Sequence, residues 1–165
     1  MTIINKIASL CFIFLFITNC GYSPIYTNIN SKNLNLKIIN SSGDDEINNI
    51  IKIKFSEIGD SNSGDSFKVE VNSIYKKETL TRNAAGDTTD YRLNLEIIFI
   101  TKVKGISQKF IFQEKSDMKK KDNTFEEEKY ENILKREMIN LVTQKFTSQL
   151  LLIKWYQKFF NLRMI

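Results

Sequence analysis

"YRLNLEIIFITKV", residues 91–103, alternates apolar and polar side chains over thirteen positions. Tyr91, Leu93, Leu95, Ile97, Phe99, Thr101 and Val103 fall on one face, and a period of two is the signature of a strand. At about 3.3 Å per residue the stretch would run about 43 Å, longer than most strands. Its polar face is broken by Ile98 and Ile100, so both faces are apolar there. One end of the sheet is therefore expected to meet something besides its own helices.

Upstream, Phe67, Val69, Val71 and Tyr75 alternate with Lys68, Glu70 and Asn72, a second strand antiparallel to the first. The link "TRNAAGDTTD" (81–90) reads as a flexible hairpin tip. Downstream, Lys104 and Gly105 make a turn, and Gln108 to Glu114, around Phe110 and Phe112, make another strand. Before this meander, Leu34, Leu36 and Ile38 mark a short strand, and Ser41 to Asp44 break it and offer N-cap oxygens. Ile47, Ile50, Ile51, Phe55 and Ile58 then repeat at helical spacing. Asp44, Asp45 and Glu46 suit the positive end of that helix, and Gly59 stops it. "GDSNSGDS" (59–66) is turn material.

The last element is a long amphipathic helix. Tyr130, Ile133, Leu134, Met138, Leu141, Val142, Phe146, Leu150 and Ile153 recur at steps of three and four, with Glu126 to Glu128 at its start. Packing on the sheet explains the stripe without a partner. The expected fold is α+β, a two-layer sandwich of order β-α-β-β-β-α. Its four-stranded, mostly antiparallel sheet is packed by two helices, and the domain occupies residues 34–153.

The N-terminus has another character. Lys6 precedes an apolar run from Ile7 to Ile17, too short to span a bilayer comfortably, and Thr18-Asn19 lead to Cys20. Residues 1–19 are expected to be a signal peptide cut before a lipid-modified Cys20, although Asn19 stands where a small residue is usual. An uncleaved anchor, or secretion with Cys20 a plain thiol, are the other readings. Cys11 lies in the segment removed, so the mature chain keeps one cysteine and no internal disulfide. Acylation would give that cysteine a purpose: each buried methylene contributes about 0.8 kcal/mol. The layout resembles a bacterial lipoprotein signal, and since Gly21, not Asp, follows the cysteine, that resemblance implies the outer membrane as destination, anchored on the periplasmic side. Removing 19 of the 165 residues leaves 146, enough for one domain, and the formal charge of +5 falls to +4 with the loss of Lys6. Residues 20–33, with the single proline Pro24, read as an extended tether.

The chain has no histidine. That removes Ser-His and Cys-His nucleophiles and the commonest metal ligand. No Gly-rich phosphate loop follows a strand. No enzyme activity, metal, cofactor or nucleic-acid partner is expected. Positive charge is more informative. If the first helix returns antiparallel to the first strand, the second strand runs parallel to the first. Arg82 at the hairpin tip and Lys119, Lys120 and Lys121 then converge at one end of the sheet, suited to phosphates or carboxylates of a glycolipid. Loop lysines kept in water are the plainer reading. At the other end, residues 154–165 mix Trp155, Tyr156, Phe159 and Phe160 with Lys154, Lys158 and Arg163. This tail fits a membrane interface, a protein groove or a partner's lumen.

"CGYSPIY" (20–26) resembles the start of the lipopolysaccharide-assembly lipoprotein family (LptE), and "RNAAGDTTDYRLNLEI" (82–97), a hairpin tip leading into a long strand, is similar to it as well. The element order matches over essentially the whole mature chain. The resemblance implies a plug that sits in the outer-membrane barrel LptD, assists its assembly and binds lipopolysaccharide. Arg82 and Lys119 to Lys121 become candidate glycolipid contacts and Cys20 the lipidation site. A structural lipoprotein docking on a different barrel, or a small-ligand carrier, are the alternatives.

Overall fold

A computed structural model describes residues 34–58, 66–103 and 105–162. The expected signal, Cys20, the tether and the turn at 59–65 lie outside them. The chain folds in the order β1 (Asn35–Gly43), α1 (Asp45–Ile58), β2 (Ser66–Arg82), β3 (Thr88–Val103), β4 (Ile106–Lys119), α2 (Thr124–Leu162). The sheet has the order β1-β2-β3-β4. β1 pairs parallel with β2, whereas β2 with β3 and β3 with β4 are antiparallel. The sheet is thus mixed, with its one parallel pair where the crossover helix requires it.

Both helices lie on the same face. Leu36, Val69, Val71, Leu93, Leu95, Ile97 and Phe99 bury that face of the sheet. Ile47, Ile51 and Phe55 of α1 and Met138, Ile139, Val142, Phe146 and Leu150 of α2 close the core over it. Phe146 is its centre. Its ring stacks on Phe99 with centroids 4.1 Å apart and meets Phe110 edge-on at 5.6 Å. Phe55 touches both Phe99 and Phe146 at 5.9 Å, so one aromatic cluster ties α1, β3, β4 and α2 together.

The β1–α1 junction explains how the first helix is aimed. Asp44 is the N-cap: its Oδ1 accepts from Ile47 N at 3.0 Å. Its own N–H donates to Ser73 Oγ at 3.0 Å on the neighbouring strand. The Ser73 hydroxyl donates to Asn48 Oδ1 at 2.9 Å, and Asn48 Nδ2 donates to the Ser42 carbonyl at 3.0 Å. The buried side chains of Ser73 and Asn48 are therefore both partnered. Gly43 sits at φ 93°, and a Cβ there would lie 1.8 Å from the Ser73 carbonyl oxygen, so the turn admits only glycine.

Three expectations are corrected. β1 does not break at Ser41; it continues to Gly43 because residues 40–43 pair with residues 70–73 of β2. The tip is not a ten-residue flexible loop. β2 and β3 extend to Arg82 and Thr88, since threonines suit strands and the ladder pairs Thr79 with Tyr91, Thr81 with Asp90 and Arg82 with Thr88. β4 likewise runs past Glu114 to Lys119, pairing with Asp90 to Asn94. The long helix continues past Ile153 to Leu162, into the residues read as an aromatic and basic tail. Its buried face is rotated from the predicted stripe. Ile139, Thr143 and Thr147 are inside, whereas Tyr130, Ile133 and Leu141 are exposed. The threonines tolerate burial because Thr143 Oγ1 donates to the Ile139 carbonyl at 2.7 Å and Thr147 bonds the Thr143 carbonyl.

The rotated face gives a direct check. Ile139→Ala is expected to lower unfolding free energy by about 2–5 kcal/mol in urea titration, as cavities in packed cores do. Leu141→Ala, at a residue 42 % exposed, is expected to stay within about 0.5–1 kcal/mol of the parent. Equal losses would mean that the helix packs on its predicted stripe instead.

Candidate functional site

The hairpin end of the sheet is built from three chain segments. Residues Asn83 to Asp87 form a closed turn. Asn83 Oδ1 accepts from Ala85 N at 3.0 Å and Asp87 N at 2.8 Å, and Gly86 N donates to the Asn83 carbonyl at 3.0 Å. Gly86 has φ 87°, the left-handed conformation that glycine supplies without strain. The side chain of Arg82 folds onto this turn, Nη1 donating to the Gly86 carbonyl at 2.8 Å.

The lysine segment is stitched to the hairpin by backbone. Asp90 pairs with Lys119 in the ladder, and Lys120 N donates to the Thr89 carbonyl at 2.9 Å. Lys121 N donates to Glu127 Oε2 at 3.1 Å, and its ammonium lies 5.5 Å from the centre of the Tyr130 ring. Asn123 then caps α2, its Oδ1 accepting from Phe125 N at 2.9 Å. The four predicted cations, Arg82, Lys119, Lys120 and Lys121, are exposed and share one end of the molecule. The sequence reading missed the acids among them: Asp87, Asp90 and Asp122. Asp90 is held below the ordinary carboxylate range by the hydroxyls of Thr81 and then Thr89, with Lys119 adding attraction.

Behind this end lies an ionic layer that the sequence reading did not single out. Lys77 points to the helix side of β2 and bridges Glu127 and Glu131, each at 2.8 Å, with its ammonium 4.2 Å from the Tyr91 ring centre. Tyr75 donates its hydroxyl to Glu131 at 2.7 Å, and Lys135 reaches Glu46 of α1 at 3.0 Å while covering the Tyr75 ring. Burial, reinforced by the Glu131 carboxylate, pushes the Tyr75 hydroxyl well above its usual value, so it stays a donor. Burial opposes the charged form of Glu131, but Lys77 and Tyr75 outweigh it and hold the carboxyl low. The signal for this layer was available. Ser73, Tyr75 and Lys77 continue the alternation of Phe67, Val69 and Val71, so Lys77 had to face the helices.

Among the described residues no helix covers the opposite face of the sheet. Ile74, Ile98, Ile100 and Ile111 lie on it, Ile98 paired with Ile111 across β3 and β4. Ile74 is 40 % and Ile111 53 % exposed. At the other end of α2, Phe110, Gln149, Leu152, Ile153 and Tyr156 line an apolar groove beside the β4 edge. Among the described residues no helix is long and apolar enough to cross a membrane.

No protein-family model matches this chain, and no curated protein matches its sequence. Solved structures do resemble it. Rare lipoprotein B from Shewanella oneidensis is 16 % identical, with a TM-score of 0.54 over 78 % of this chain and 99 % of that one. An uncharacterized lipoprotein B from Nitrosomonas europaea is 11 % identical, with a TM-score of 0.48 over 75 % of this chain and 87 % of the other. A minor lipoprotein from Acinetobacter baumannii is 18 % identical, with a TM-score of 0.45 over 70 % and 94 %. At these identities the Shewanella likeness establishes a shared fold.

The ionic layer makes stability depend on acid. A carboxyl whose folded-state pKa is depressed stabilises the fold above its ordinary value, near 4.5 for glutamate, and that contribution disappears as pH falls through the lower folded value. Glu131→Gln is therefore expected to cost about 1–3 kcal/mol at pH 7, the range for hydrogen bonds to charged groups. The cost should shrink as pH falls below that glutamate value, measured by urea midpoints of both proteins across the acid range. A deficit independent of pH would exclude the carboxylate as its source.

Proposed function

We propose that this protein is an outer-membrane lipoprotein, anchored through an acylated Cys20 on the periplasmic side, that plugs and helps assemble the barrel LptD and binds lipopolysaccharide on its way to the outer leaflet. One coincidence carries the reading: a chain that begins its mature part with "CGYSPIY" has the fold of a protein named as a lipoprotein, over nearly all of that protein's length. The cysteine motif and the fold are separate observations, since residues 20–26 precede the sandwich in sequence.

In this reading the domain acts by binding. Arg82 and Lys119 to Lys121 offer donors that compete for phosphates otherwise bridged between neighbouring glycolipids by divalent ions. The turn geometry supports that role. Arg82 is held against Gly86, and the lysine segment is fixed to Thr89, so the cations are presented from ordered backbone and do not pay the full cost of ordering a loop on binding.

The alternative lipoprotein, docking on a different assembly machine, shares the anchor and lacks the glycolipid affinity. A small-ligand carrier would instead need an enclosed pocket with convergent polar groups. The grooves beside the hairpin end and the β4 edge are open and lined largely by one helix and one strand.

Purification of the tagged full-length protein from detergent-solubilised envelopes tests the reading. Expected are a diacylglycerol-modified Cys20 by mass spectrometry and a near-stoichiometric translocon barrel. Charge reversal of Arg82 and Lys119 to Lys121 to Glu should weaken lipopolysaccharide binding roughly tenfold or more, the scale of losing one to two charge-assisted contacts. Recovery of a different barrel, or unchanged glycolipid binding in the reversed protein, would remove the corresponding half of the proposal.

A further inference from the structure

The uncovered face of the sheet is chemically divided, and the division matches one kind of ligand. Its apolar part is the set Ile74, Ile98, Ile100 and Ile111. Register places Asn72, Ile98 and Ile111 in one cross-strand row, Ile74 in the row beyond it toward the hairpin, and Ile100 in the row on the other side. Three rows of alternate residues span about 13 Å along the strands. The next row toward the hairpin is Lys76, Asn94 and Lys115. Two long cations thus flank one short amide, their backbones about 10 Å apart across two strand spacings.

That row forms a shallow depression of about 310 Å³, with Ile74 on its rim and Asn94, Glu96 and Gln113 among its lining. Glu70 shares the row of Ile100, and three other acids nearby have partners, neutral amides for two of them and an ammonium for the third. Glu96 accepts from Gln113 Nε2 at 2.6 Å, Glu78 from Asn94 Nδ2 at 3.2 Å, and Glu114 is paired with Lys145 of α2. Arg92 and Asp117, one row further, satisfy each other at 2.8 and 3.0 Å. Among the described residues no ion pair engages Lys76 or Lys115, nor Lys68, Lys102 and Lys109 at the far margin of the isoleucines.

We infer that this face is a lipid-binding surface, on which one phosphate sits over Asn94 between Lys76 and Lys115 while acyl chains lie across Ile74, Ile98, Ile111 and Ile100. Charge and polarity together select that occupant. A phosphate between two unpaired ammonium groups receives charge-assisted hydrogen bonds from both sides. The isoleucines begin one row away, where the acyl chains of a molecule with its head in the depression must go, and the stems of Lys102 and Lys109 prolong the apolar surface beyond them. The polar lumen of a membrane barrel would give four isoleucines nothing to pack against. The ligand class is an acylated, phosphorylated glycolipid. This rests on the proposed function and deepens it, because it adds an acyl-chain contact on the sheet to the phosphate contacts proposed at the hairpin end.

The test titrates purified full-length protein in mild detergent with bisphosphorylated lipid A. Two separate variants are compared with the parent: Lys76→Glu with Lys115→Glu, and Ile98→Gln with Ile111→Gln. All four side chains lie on the helix-free face, and parental urea midpoints verify the fold. Each variant is expected to lose lipid A affinity roughly tenfold or more. If both bind like the parent while the Arg82 and Lys119 to Lys121 reversal loses binding, the sheet face is not the lipid surface and the proposed function stands. If the parent itself fails to bind lipid A, the glycolipid reading and this inference fall together. Phosphatidylglycerol binding as tightly as lipid A would overturn the assignment to a glycolipid. Variants that keep lipid A affinity but no longer capture the barrel would make the face a protein contact and overturn it too.

Discussion

The stack of Phe99 on Phe146 decides which surfaces this molecule has left to offer. Phe146 sits midway along a 39-residue helix and meets rings from β3, β4 and α1, so the helix has one rotational setting on the sheet. Because α1 must cross back between two parallel strands, it lies beside α2, and both helices cover one face. A four-stranded sheet with both helices on one face leaves another that no described helix covers, and here that face is not uniformly polar. Ile98 and Ile100 are the residues that betray this, sitting on the outer phase of the strand that the core depends on most.

Much of this was legible before any coordinates. Alternation from Tyr91 to Val103 gave a strand of the right phase, and a crossover helix between Ile38 and Phe67 implied a parallel first pair. What periodicity could not supply was the rotation of α2. Its apolar residues spread over more than half the circumference, and the sheet selects an arc containing Ile139, Thr143 and Thr147 while leaving Tyr130 and Leu141 outside. Two buried threonines look polar in sequence. In the helix each returns its hydroxyl to a carbonyl of the preceding turn, so burial costs little. Strand ends were misread for a related reason: threonine, lysine and aspartate near the hairpin look like loop until cross-strand partners give them a ladder.

The candidate site was legible to a different degree. Topology alone brought Arg82 to Lys119–Lys121, because the first and third strands of an antiparallel meander end on the same side, and the Thr89–Lys120 hydrogen bond is the physical form of that return. The interleaved acids were visible as letters, but the engagement of Asp90 was not, since it depends on hydroxyls one and nine residues away in sequence. The lysines of the open face were equally visible. Assigning them meant knowing that both helices share one side, which turns every second residue of β2, β3 and β4 into a surface residue.

The core changes its chemistry along α2, and this bears on how the hairpin end keeps its shape. Around Phe146 the contacts are aromatic and weakly directional, and they resist displacement mainly by close packing. Toward the hairpin the same interface is made by Tyr75, Lys77, Glu127, Glu131 and Lys135, whose hydrogen bonds fix angle as well as distance. Glu127 belongs to both worlds: one oxygen accepts from Lys77 in this layer and the other from the backbone of Lys121 in the exposed segment. The lysine loop is thereby tied to the layer beneath it through a single carboxylate. A purely apolar upper core would bury more surface, yet it would leave that loop without a directional tether. The ionic layer, partly open to water and so modest in net stability, is better understood as what holds the cationic end in register with the hairpin.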